Sequence, residues 1–363
     1  MQHIVEGIGH LRNFLENSQK VLLVCGRSLS SLSIHEEIQK LPVTFVRFSQ
    51  FAPNPSYEEV CKGVESFNTE QCDTILAVGG GSAIDVAKCI KLYCKMPNDK
   101  PYLEQEYEDT GIKLIAIPTT AGTGSESTRY AVIYYDGKKQ SVTHDSIVPD
   151  VAILEPKVLK TLPLYQKKCT MLDALCQGIE SWWSVNSTDE SKEYSKNAVE
   201  TIMKWWREYI FENTDDSAEY MMQAANLAGQ AINITQTTAP HAFSYKLTSM
   251  YGLPHGHAVA VCLPVIWEYM IHNMDQCIDQ RGEKYLDSVF ESISNSMGFS
   301  TPIEAIAYFM TMMDEMEMAN PVSANKAEDI ELLSQSVNPV RLKNNPVEIN
   351  VFAIKNIYEV IVK

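Results

Sequence analysis

The chain has 363 residues, of which 45% are hydrophobic and 21% are charged, proportions that are ordinary for a soluble globular enzyme. Its formal net charge is −16, and it contains no long run of Lys and Arg. Nucleic acid and anionic membrane are therefore not expected as partners, because both are bound by basic surfaces.

The first twenty residues contain neither a basic region nor a long apolar segment, so we expect no secretion signal. No apolar stretch is long enough to span a bilayer. The nine cysteines show no framework spacing, and several of them lie inside apolar runs. This usage favours reduced thiols and a cytoplasmic protein.

Short apolar runs alternate with helical patterns through the first half of the chain. A hairpin is expected around Asp136-Gly137, since this dipeptide favours a tight turn between two strands. The alternation predicts a parallel sheet with both faces covered. The expected strands cover residues 21–25, 43–48, 74–79, 114–118 and 151–156, and the expected helices cover 28–40, 56–67 and 82–94.

After about Leu162 the pattern changes to long helices, followed by a proline-punctuated tail of short helices and loops. We therefore predict an α/β dinucleotide-binding domain over residues 1–162 and a helical domain over residues 163–363. The cleft between them is the default site. The expected helices of the second domain cover 165–184, 189–209, 217–235, 239–250, 256–275 and 283–296.

The stretch AVGGGSAIDVAK, residues 77–88, joins an apolar strand to a helix through three glycines. Glycines let a ligand approach the backbone closely, and a helix N-terminus offers free N–H groups to a phosphate. We place the helix start at Ser82 and expect Ser82 and Asp85 to form a capping box. The pattern favours phosphate binding over a plain tight turn, although it is not the G-x-G-x-x-G fingerprint.

Two further stretches contain groups suited to ligands. IPTTAGTGSEST, residues 117–128, follows a strand with small and hydroxylated residues that could contact ribose and diphosphate. His241, His255 and His257 lie within seventeen residues of one another, and imidazole is a common transition-metal ligand. Asp173, His241 and His255 make a plausible set of metal ligands. His257 is interpreted as a structural residue or as one that supports a metal ligand without binding the metal itself.

These motifs, in this order, resemble the iron-containing (group III) alcohol dehydrogenase family over essentially the whole chain. The resemblance implies an α/β plus all-α, dehydroquinate-synthase-like fold with an N-terminal parallel-sheet nucleotide-binding domain and a C-terminal helical metal-binding domain. It also implies a nicotinamide cofactor and a divalent metal, Fe²⁺ or Zn²⁺. The matching stretches are PNPSYEEV, GGGSAIDVAK, PTTAGTGSE, VPDVAILEP, LDALCQGIES and HGHAVAVCLP.

The family holds its metal with one Asp and three His, and Asp173, His241 and His255 occupy three of these positions. The fourth falls on Gln177, whose carbonyl oxygen is a weaker ligand than imidazole. We expect Gln177 either to bind the metal weakly or to hydrogen-bond a metal-bound water. By resemblance, the cofactor contacts are Gly79, Gly80, Gly81, Ser82, Asp85, Thr119, Thr120 and Thr123, with Asn54 and Lys139 less securely placed.

The end of the first strand departs from the pattern of many NAD-preferring members, which carry an acidic residue there. This chain has Gly26 and Arg27 instead. A carboxylate would repel a 2′-phosphate, whereas Arg27 could pair with one, so NADP(H) is expected in preference to NAD(H). The alternative is that Arg27 is an ordinary solvated loop residue.

The implied reaction is reduction of a small aldehyde to a primary alcohol. The proton could come from Tyr245, which stands where many members have a second histidine, from His257, or from a chain of waters. Residues 161–188 and 241–264 look most similar to phosphonoacetaldehyde reductases, which form 2-hydroxyethylphosphonate. Arg129 or Lys246 could bind the phosphonate, or both could make ordinary ion pairs.

Three other functions stay open at this point. The chain could be a dehydrogenase for a neutral alcohol or diol, or a dehydroquinate-synthase-type lyase that uses NAD as an internal redox cofactor. It could also be a non-catalytic binding protein if Gln177 has abolished metal binding. A homodimer is expected only because symmetric dimers are the commonest oligomers.

Overall fold

The computed structural model describes residues 2–363, apart from the side chain of Val340. The chain divides into two compact units, which comprise Met1–Leu162 with Asn213–Gly229, and Pro163–Glu212 with Gln230–Lys363. The first unit therefore includes residues 213–229, which lie within the range predicted for the helical domain. In the part of the chain that is described, no helix combines the length and apolar character that crossing a membrane requires.

The first unit contains a parallel sheet, within the described residues, in the order β1-β8-β5-β4-β2-β3, and a separate antiparallel hairpin of β6 and β7. Asp136 and Gly137 both have positive φ, as the expected tight turn requires. The strands are β1 (His3–Glu6), β2 (Lys20–Cys25), β3 (Thr44–Phe48), β4 (Thr74–Gly79), β5 (Lys113–Pro118), β6 (Tyr130–Tyr135), β7 (Lys138–Thr143) and β8 (Val151–Leu154).

Among the described residues, four helices lie between these strands in the chain, together with short 3₁₀ segments. They are α1 (Leu11–Phe14), α2 (His35–Gln39), α3 (Tyr57–Thr69) and α4 (Gly81–Tyr93). The strand order reverses at β2, because the chain passes to β3 on one side and then returns to β4 on the other. Ligands of such sheets bind at the carboxyl ends of the strands beside this reversal. The stretches beginning at Gly26, Gly79 and Thr119 all lie at that edge of the first unit.

The helices of the second half confirm the expected all-α region and differ from the sequence-based bounds by a few residues. They are α5 (Leu164–Trp183), α6 (Asp189–Arg207), α7 (Asp215–Thr235), α8 (Ala239–Tyr251), α9 (His255–His272), α10 (Glu283–Ser296), α11 (Pro302–Glu315), α12 (Lys326–Ser336), α13 (Pro339–Leu342) and α14 (Val351–Ile361). A π-helical turn, Glu208–Glu212, extends α6. The division between the units runs through α7.

Two local expectations were wrong. The single helix over 28–40 is instead a 3₁₀ segment, Arg27–Ser31, followed by the short α2. Serine side chains compete for backbone groups here, as in the hydrogen bond from Ser31 Oγ to the carbonyl of Ser28. The capping box at the start of α4 is absent as well, since Gly80 is the N-cap and no side chain caps it.

Gly256 brings the first turn of α9 against α5. A Cβ at this position would overlap the carbonyl oxygen of Cys169 and lie 2.9 Å from the Cβ of Asp173. Only a glycine therefore allows the two helices to approach so closely. This contact determines how near His255, at the start of α9, comes to Asp173.

Replacing Gly256 should accordingly destabilise the fold. We expect Gly256→Ala to lower the free energy of unfolding by roughly 1–3 kcal/mol or more, as overpacked cores do. Urea unfolding of the metal-free protein measures this change. Gly9→Ala is the matched control, because a Cβ there meets nothing within 4 Å. Equal stability of the two variants would contradict the close approach.

Candidate functional site

Three side chains of the second unit form a candidate metal centre. Asp173 lies in α5, His241 lies in the first turn of α8, and His255 is the first residue of α9. One ligand atom from each lies within 4.8 Å of the others. The two imidazole rings are 5.2 Å apart between centroids and inclined at 70°. The structure thus brings together the three ligands that the resemblance implied.

The sequence between the two histidines explains their placement. Gly252 ends α8 with φ 67°, a left-handed conformation that glycine adopts readily at a helix end. Pro254 immediately precedes the first residue of α9, where its missing N–H costs no helical hydrogen bond. The chain therefore turns within three residues, and His241 and His255 both lie in the first turns of successive helices.

The environment of Asp173 fits a bound cation. Its Oδ1 is buried without a hydrogen-bond partner among the described residues and lies 3.4 Å from Nε2 of His241. Burial by itself raises the pKa of this carboxyl, but the neighbouring rings of His241 and His255 more than offset it, so the pKa is lowered. A buried anionic oxygen without a partner is costly. One carboxylate and two imidazoles suit Fe²⁺ or Zn²⁺.

Glu180 also belongs to this candidate centre, although none of the sequence motifs identified it. Its side chain is fully buried, and its Oε1 lies 2.5 Å from Nδ1 of His241. Its other oxygen accepts hydrogen bonds from the backbone N–H and the hydroxyl of Thr238, at 2.7 and 2.9 Å. Nδ1 of His241 donates to this carboxylate, which leaves Nε2 for a metal. Such carboxylate–histidine pairs orient metal ligands and make them more basic.

Helical spacing could have revealed Glu180. Asp173, Gln177 and Glu180 are related as i, i+4 and i+7, so they share one face of α5. All three side chains are buried, which is unusual for two carboxylates on one helix face. Burial lowers the pKa of His241, but the charge of Glu180 and the contact with Asp173 raise it to about 9.

Gln177 hydrogen-bonds to the carboxyl of Asp173, an interaction that contributes to the lowered pKa of that carboxyl. It is buried one turn after Asp173 on the same helix. Gln177 therefore helps to orient a candidate metal ligand. Its own ligation of the metal stays a prediction.

Tyr245 and His257 differ in their surroundings. The ring of Tyr245 lies 6.0 Å from that of His255 and nearly parallel to it, at 9°. Nε2 of His257 donates to the carbonyl of Ala319, and its Nδ1 accepts from the hydroxyl of Tyr165, both at 2.9 Å. Both ring nitrogens of His257 are thus engaged with protein groups. Of the two candidate proton donors, Tyr245 is the one that contacts the metal centre.

The glycine-rich turn of the first unit packs tightly against the loop after β5. A Cβ on Gly80 would lie 3.3 Å from Thr120, and one on Gly81 would lie 3.0 Å from Thr123. The N–H of Thr119 donates to the carbonyl of Gly79 at 3.0 Å. Ser82 Oγ accepts from the N–H of Asn54, at 3.4 Å. The structure therefore brings most of the expected cofactor residues together.

Asp85 and Lys88, both on α4, hold the loop after β5 and the start of β6 in place. The carboxylate of Asp85 accepts from Ser125 Oγ at 2.6 Å and from the N–H of Val132 at 3.0 Å. Lys88 is fully buried and donates to the carbonyls of Thr128 and Tyr130, at 2.7 and 2.8 Å. Burial raises the pKa of Asp85, an effect opposed by the charges of Lys88 and Lys139. Burial lowers the pKa of Lys88 to about 8.

A second arginine lies beside the end of the first long strand. Arg47, near the end of β3, donates from Nη2 to the carbonyl of Gly26 at 3.3 Å. Its side chain is exposed, and Arg27 follows Gly26 directly. Arg47 therefore adds a second guanidinium group, beside that of Arg27, at this edge of the sheet.

The two residues expected to bind a phosphonate are placed differently. Arg129 lies in the first unit, forms a 3.0 Å ion pair with Asp145 and contacts the ring of Tyr130. Lys246 lies on α8, five residues after His241, so it projects about 140° around the helix from His241. The ordinary ion pair named as the alternative is what the structure records for Arg129.

Family models match nearly the whole chain. The model described as iron-containing alcohol dehydrogenase matches residues 3–156. The model for the C-terminal part of the Fe-containing alcohol dehydrogenase family matches residues 168–362.

Among individual relatives, a phosphonoacetaldehyde reductase of Streptomyces viridochromogenes is 32% identical over 76% of this chain and 73% of its own length. A long-chain-alcohol dehydrogenase of Geobacillus thermodenitrificans is 30% identical over 71% of this chain and 65% of its own length. A solved sulfoacetaldehyde reductase of Bifidobacterium kashiwanohense, in complex with NAD⁺, is 25% identical with a TM-score of 0.89, covering 99% of this chain and 96% of that one.

Removing the charge of Glu180 should weaken metal binding. We expect Glu180→Gln to lower the affinity for Zn²⁺ by roughly 10–100-fold, as changes to partners of metal-binding histidines do. Competition with a chromophoric chelator measures the affinity. The control is Glu193→Gln, which alters an exposed carboxylate on α6. Unchanged affinity in Glu180→Gln would contradict the orienting role.

Proposed function

Because this chain belongs to the iron-containing alcohol dehydrogenase family, whose members bind NAD(H) and a divalent metal, we propose that it reduces a small anionic aldehyde to a primary alcohol. The best candidate is phosphonoacetaldehyde, which would yield 2-hydroxyethylphosphonate. The observation that carries the proposal is the cluster of Asp173, His241 and His255 around an unpartnered buried carboxylate oxygen.

The side chains of this cluster have separate tasks in the proposed reaction. Asp173, His241 and His255 would hold the metal, which when bound supplies Lewis-acid polarisation of the carbonyl while the nicotinamide supplies hydride. Glu180 keeps the proton of His241 on Nδ1 and so presents Nε2 as a ligand. Gln177 orients Asp173 through its hydrogen bond.

We assign the proton transfer to Tyr245 rather than to His257. Burial raises the pKa of Tyr245, so its hydroxyl keeps a proton at neutral pH and can donate it. Its ring stacks on that of His255, which places it beside the centre. His257 already uses both nitrogens in hydrogen bonds to the protein.

The expected preference for NADP(H) rests on the edge of the sheet beside β2. Gly26 leaves space where a carboxylate would repel a 2′-phosphate, and Arg27 and Arg47 both supply positive charge there. The Bifidobacterium relative was solved with NAD⁺, so the proposed preference is argued from the residues of this chain and not from that relative.

The relatives support more than one substrate class. Similarity to the phosphonoacetaldehyde reductase from Streptomyces supports an aldehyde substrate with a charged group. Similarity to the long-chain-alcohol dehydrogenase from Geobacillus, which is almost equally identical, supports an uncharged substrate. A dehydrogenase for neutral alcohols is therefore the second candidate function.

A reduction screen tests the proposal directly. The Zn²⁺- or Fe²⁺-loaded protein is assayed with NADPH and with NADH on phosphonoacetaldehyde and on propanal. We expect the highest kcat/KM for NADPH with phosphonoacetaldehyde. Faster turnover of propanal would favour the second candidate. An inert metal-loaded protein would overturn the assignment of an aldehyde reductase activity to this chain.

Position 177 allows a separate test of the metal centre. We expect Gln177→His to tighten Zn²⁺ binding roughly tenfold or more, since imidazole replaces a neutral amide and effects of this size accompany changes around metal ligands. Gln166→His, on the exposed part of the same helix, is the control for adding a histidine. Affinity that stays equal or falls would show that Gln177 contributes only by orienting Asp173.

A further inference from the structure

The carboxyl end of β2 lies beside the glycine-rich turn of the first unit. Cys25, the last residue of β2, is in register with Val78 of β4, so Gly26 comes next at this edge of the sheet. In sheets of this kind, the end of the strand beside the glycine-rich turn contacts the ribose of a dinucleotide. The residues around Gly26 therefore determine which group the 2′ position of that ribose can carry.

The backbone does not require the glycine at position 26. Its φ of −72° and ψ of 176° are extended values that any residue adopts. Within the described residues, a Cβ built on Gly26 would meet only Ser28 Oγ, at the ordinary contact distance of 3.8 Å. In the turn after β4, by contrast, a Cβ on Gly79 would lie 2.6 Å from the Cβ of Ala83. Packing therefore requires Gly79, whereas Gly26 leaves space that a ligand can occupy.

The side chain of Arg47 extends to this space from the neighbouring edge strand. On β3, Arg47 is in register with Leu23, which lies three residues before Gly26. Three residues of a strand span roughly 10 Å. Nη2 of Arg47 nevertheless donates to the carbonyl of Gly26 at 3.3 Å. The side chain therefore runs toward the carboxyl edge of the sheet, and its guanidinium group lies beside the backbone of Gly26.

The guanidinium group of Arg47 keeps donors for a ligand. Within residues 2–363 it forms no ion pair, although acidic residues outnumber basic ones by 46 to 30 in this chain. Its neighbours are the carbonyl of Gly26 and the thiol of Cys25; burial raises the pKa of that thiol, and the charge of Arg47 opposes this rise. Guanidinium groups bind phosphates through two parallel hydrogen bonds, so an uncompensated one at this edge suits a phosphate.

Arg27 is the less suitable of the two arginines. It is the first residue of the 3₁₀ segment Arg27–Ser31, and its side chain is exposed. In the described part of the chain, no hydrogen bond or ion pair holds its guanidinium group near Gly26. Ordering a long side chain around a ligand costs conformational entropy. The contact with Gly26 already offsets part of this cost for Arg47.

We propose that Arg47, the space at Gly26 and the hydroxyl of Ser28 form a subsite for the 2′-phosphate of NADP(H). This inference rests on the proposed preference for NADP(H) and names Arg47, rather than Arg27, as the residue that determines it. The phosphate would accept hydrogen bonds from the guanidinium group and from Ser28 Oγ, and no carboxylate at position 26 would repel it. The ligand class is an adenosine nucleotide that is phosphorylated at the 2′ position.

Binding of adenosine nucleotides tests this subsite without an aldehyde and without turnover. Calorimetric titration of the metal-loaded protein compares 2′,5′-ADP, which carries the 2′-phosphate, with 5′-AMP, which lacks it. We expect the unmodified protein to bind 2′,5′-ADP at least about tenfold more tightly, as hydrogen bonds to charged groups allow. Arg47→Ala should weaken binding of 2′,5′-ADP by at least about tenfold and change binding of 5′-AMP by less than about twofold. Arg47→Lys should recover part of the loss, because it keeps the charge and loses the fork.

Arg27→Ala is the matched control, because it removes the same charge from the same edge of the sheet. It should change the ratio of the two affinities by less than about twofold, as exposed charges without a fixed partner do. A larger selective loss in Arg27→Ala than in Arg47→Ala would overturn the proposal. An equal loss of both nucleotides in Arg47→Ala would overturn it as well, because the side chain would then support the fold and not the 2′-phosphate.

Gly26→Asp provides an independent test, because the backbone and the neighbouring atoms admit a side chain at this position. The added carboxylate would pair with Arg47 and repel the 2′-phosphate. We expect binding of 2′,5′-ADP to fall by at least about tenfold while binding of 5′-AMP is kept or tightened. An unchanged preference for 2′,5′-ADP in this variant would contradict the subsite.

The same titrations separate the subsite from the proposals on which it rests. Equal binding of both nucleotides by the unmodified protein would overturn the NADP(H) preference and the subsite together. A preference for 2′,5′-ADP that persists in Arg47→Ala would overturn the subsite alone. If the metal-loaded protein reduces no aldehyde but its nucleotide binding follows the expected pattern, only the proposed reaction fails.

Discussion

The contact between Glu180 and His241 is the interaction on which the helical unit's site depends. A fully buried carboxylate must be paired, and Glu180 satisfies both of its oxygens with groups at the start of α8. The same pairing fixes which nitrogen of His241 carries the proton. Glu180 thus positions the beginning of α8 and also orients His241, a candidate metal ligand. The packing of α5 against α8 and the geometry of the candidate centre therefore depend on the same side chain.

The first unit uses buried charge in a comparable way. Lys88 extends from α4 to the carbonyls that follow the loop after β5, while Asp85 holds a serine of that loop and a backbone N–H of β6. Neither side chain caps α4, whose N-cap residue is Gly80. The motif GGGSAIDVAK thus combines glycines that admit the neighbouring loop with two charged residues that keep it in place.

For binding an anionic substrate, the positions of individual positive charges would matter more than the net charge of the chain. The chain is strongly acidic, and its proposed centre adds two buried carboxylates. An anionic substrate would therefore depend on single, well-placed guanidinium groups. Among the described residues, Arg129 is paired with a nearby aspartate, whereas Arg47 forms no ion pair and keeps donors for the 2′-phosphate of a cofactor.

Local patterns in the sequence were sufficient for the alternation of strands and helices and for the glycine turns, since each depends on composition or spacing over a few turns. The donors Asp173, His241 and His255 were grouped instead by the resemblance to the family, because their spacing along the chain does not show that they meet. Local patterns failed at residues 28–40, where serines compete with the helix for backbone groups, and at the supposed capping box of Ser82 and Asp85. The sequence by itself thus determined the fold class and the chemical type of the centre. Only the tertiary structure decided that Glu180 orients His241, because that outcome depends on packing between α5 and α8, which are distant in the chain.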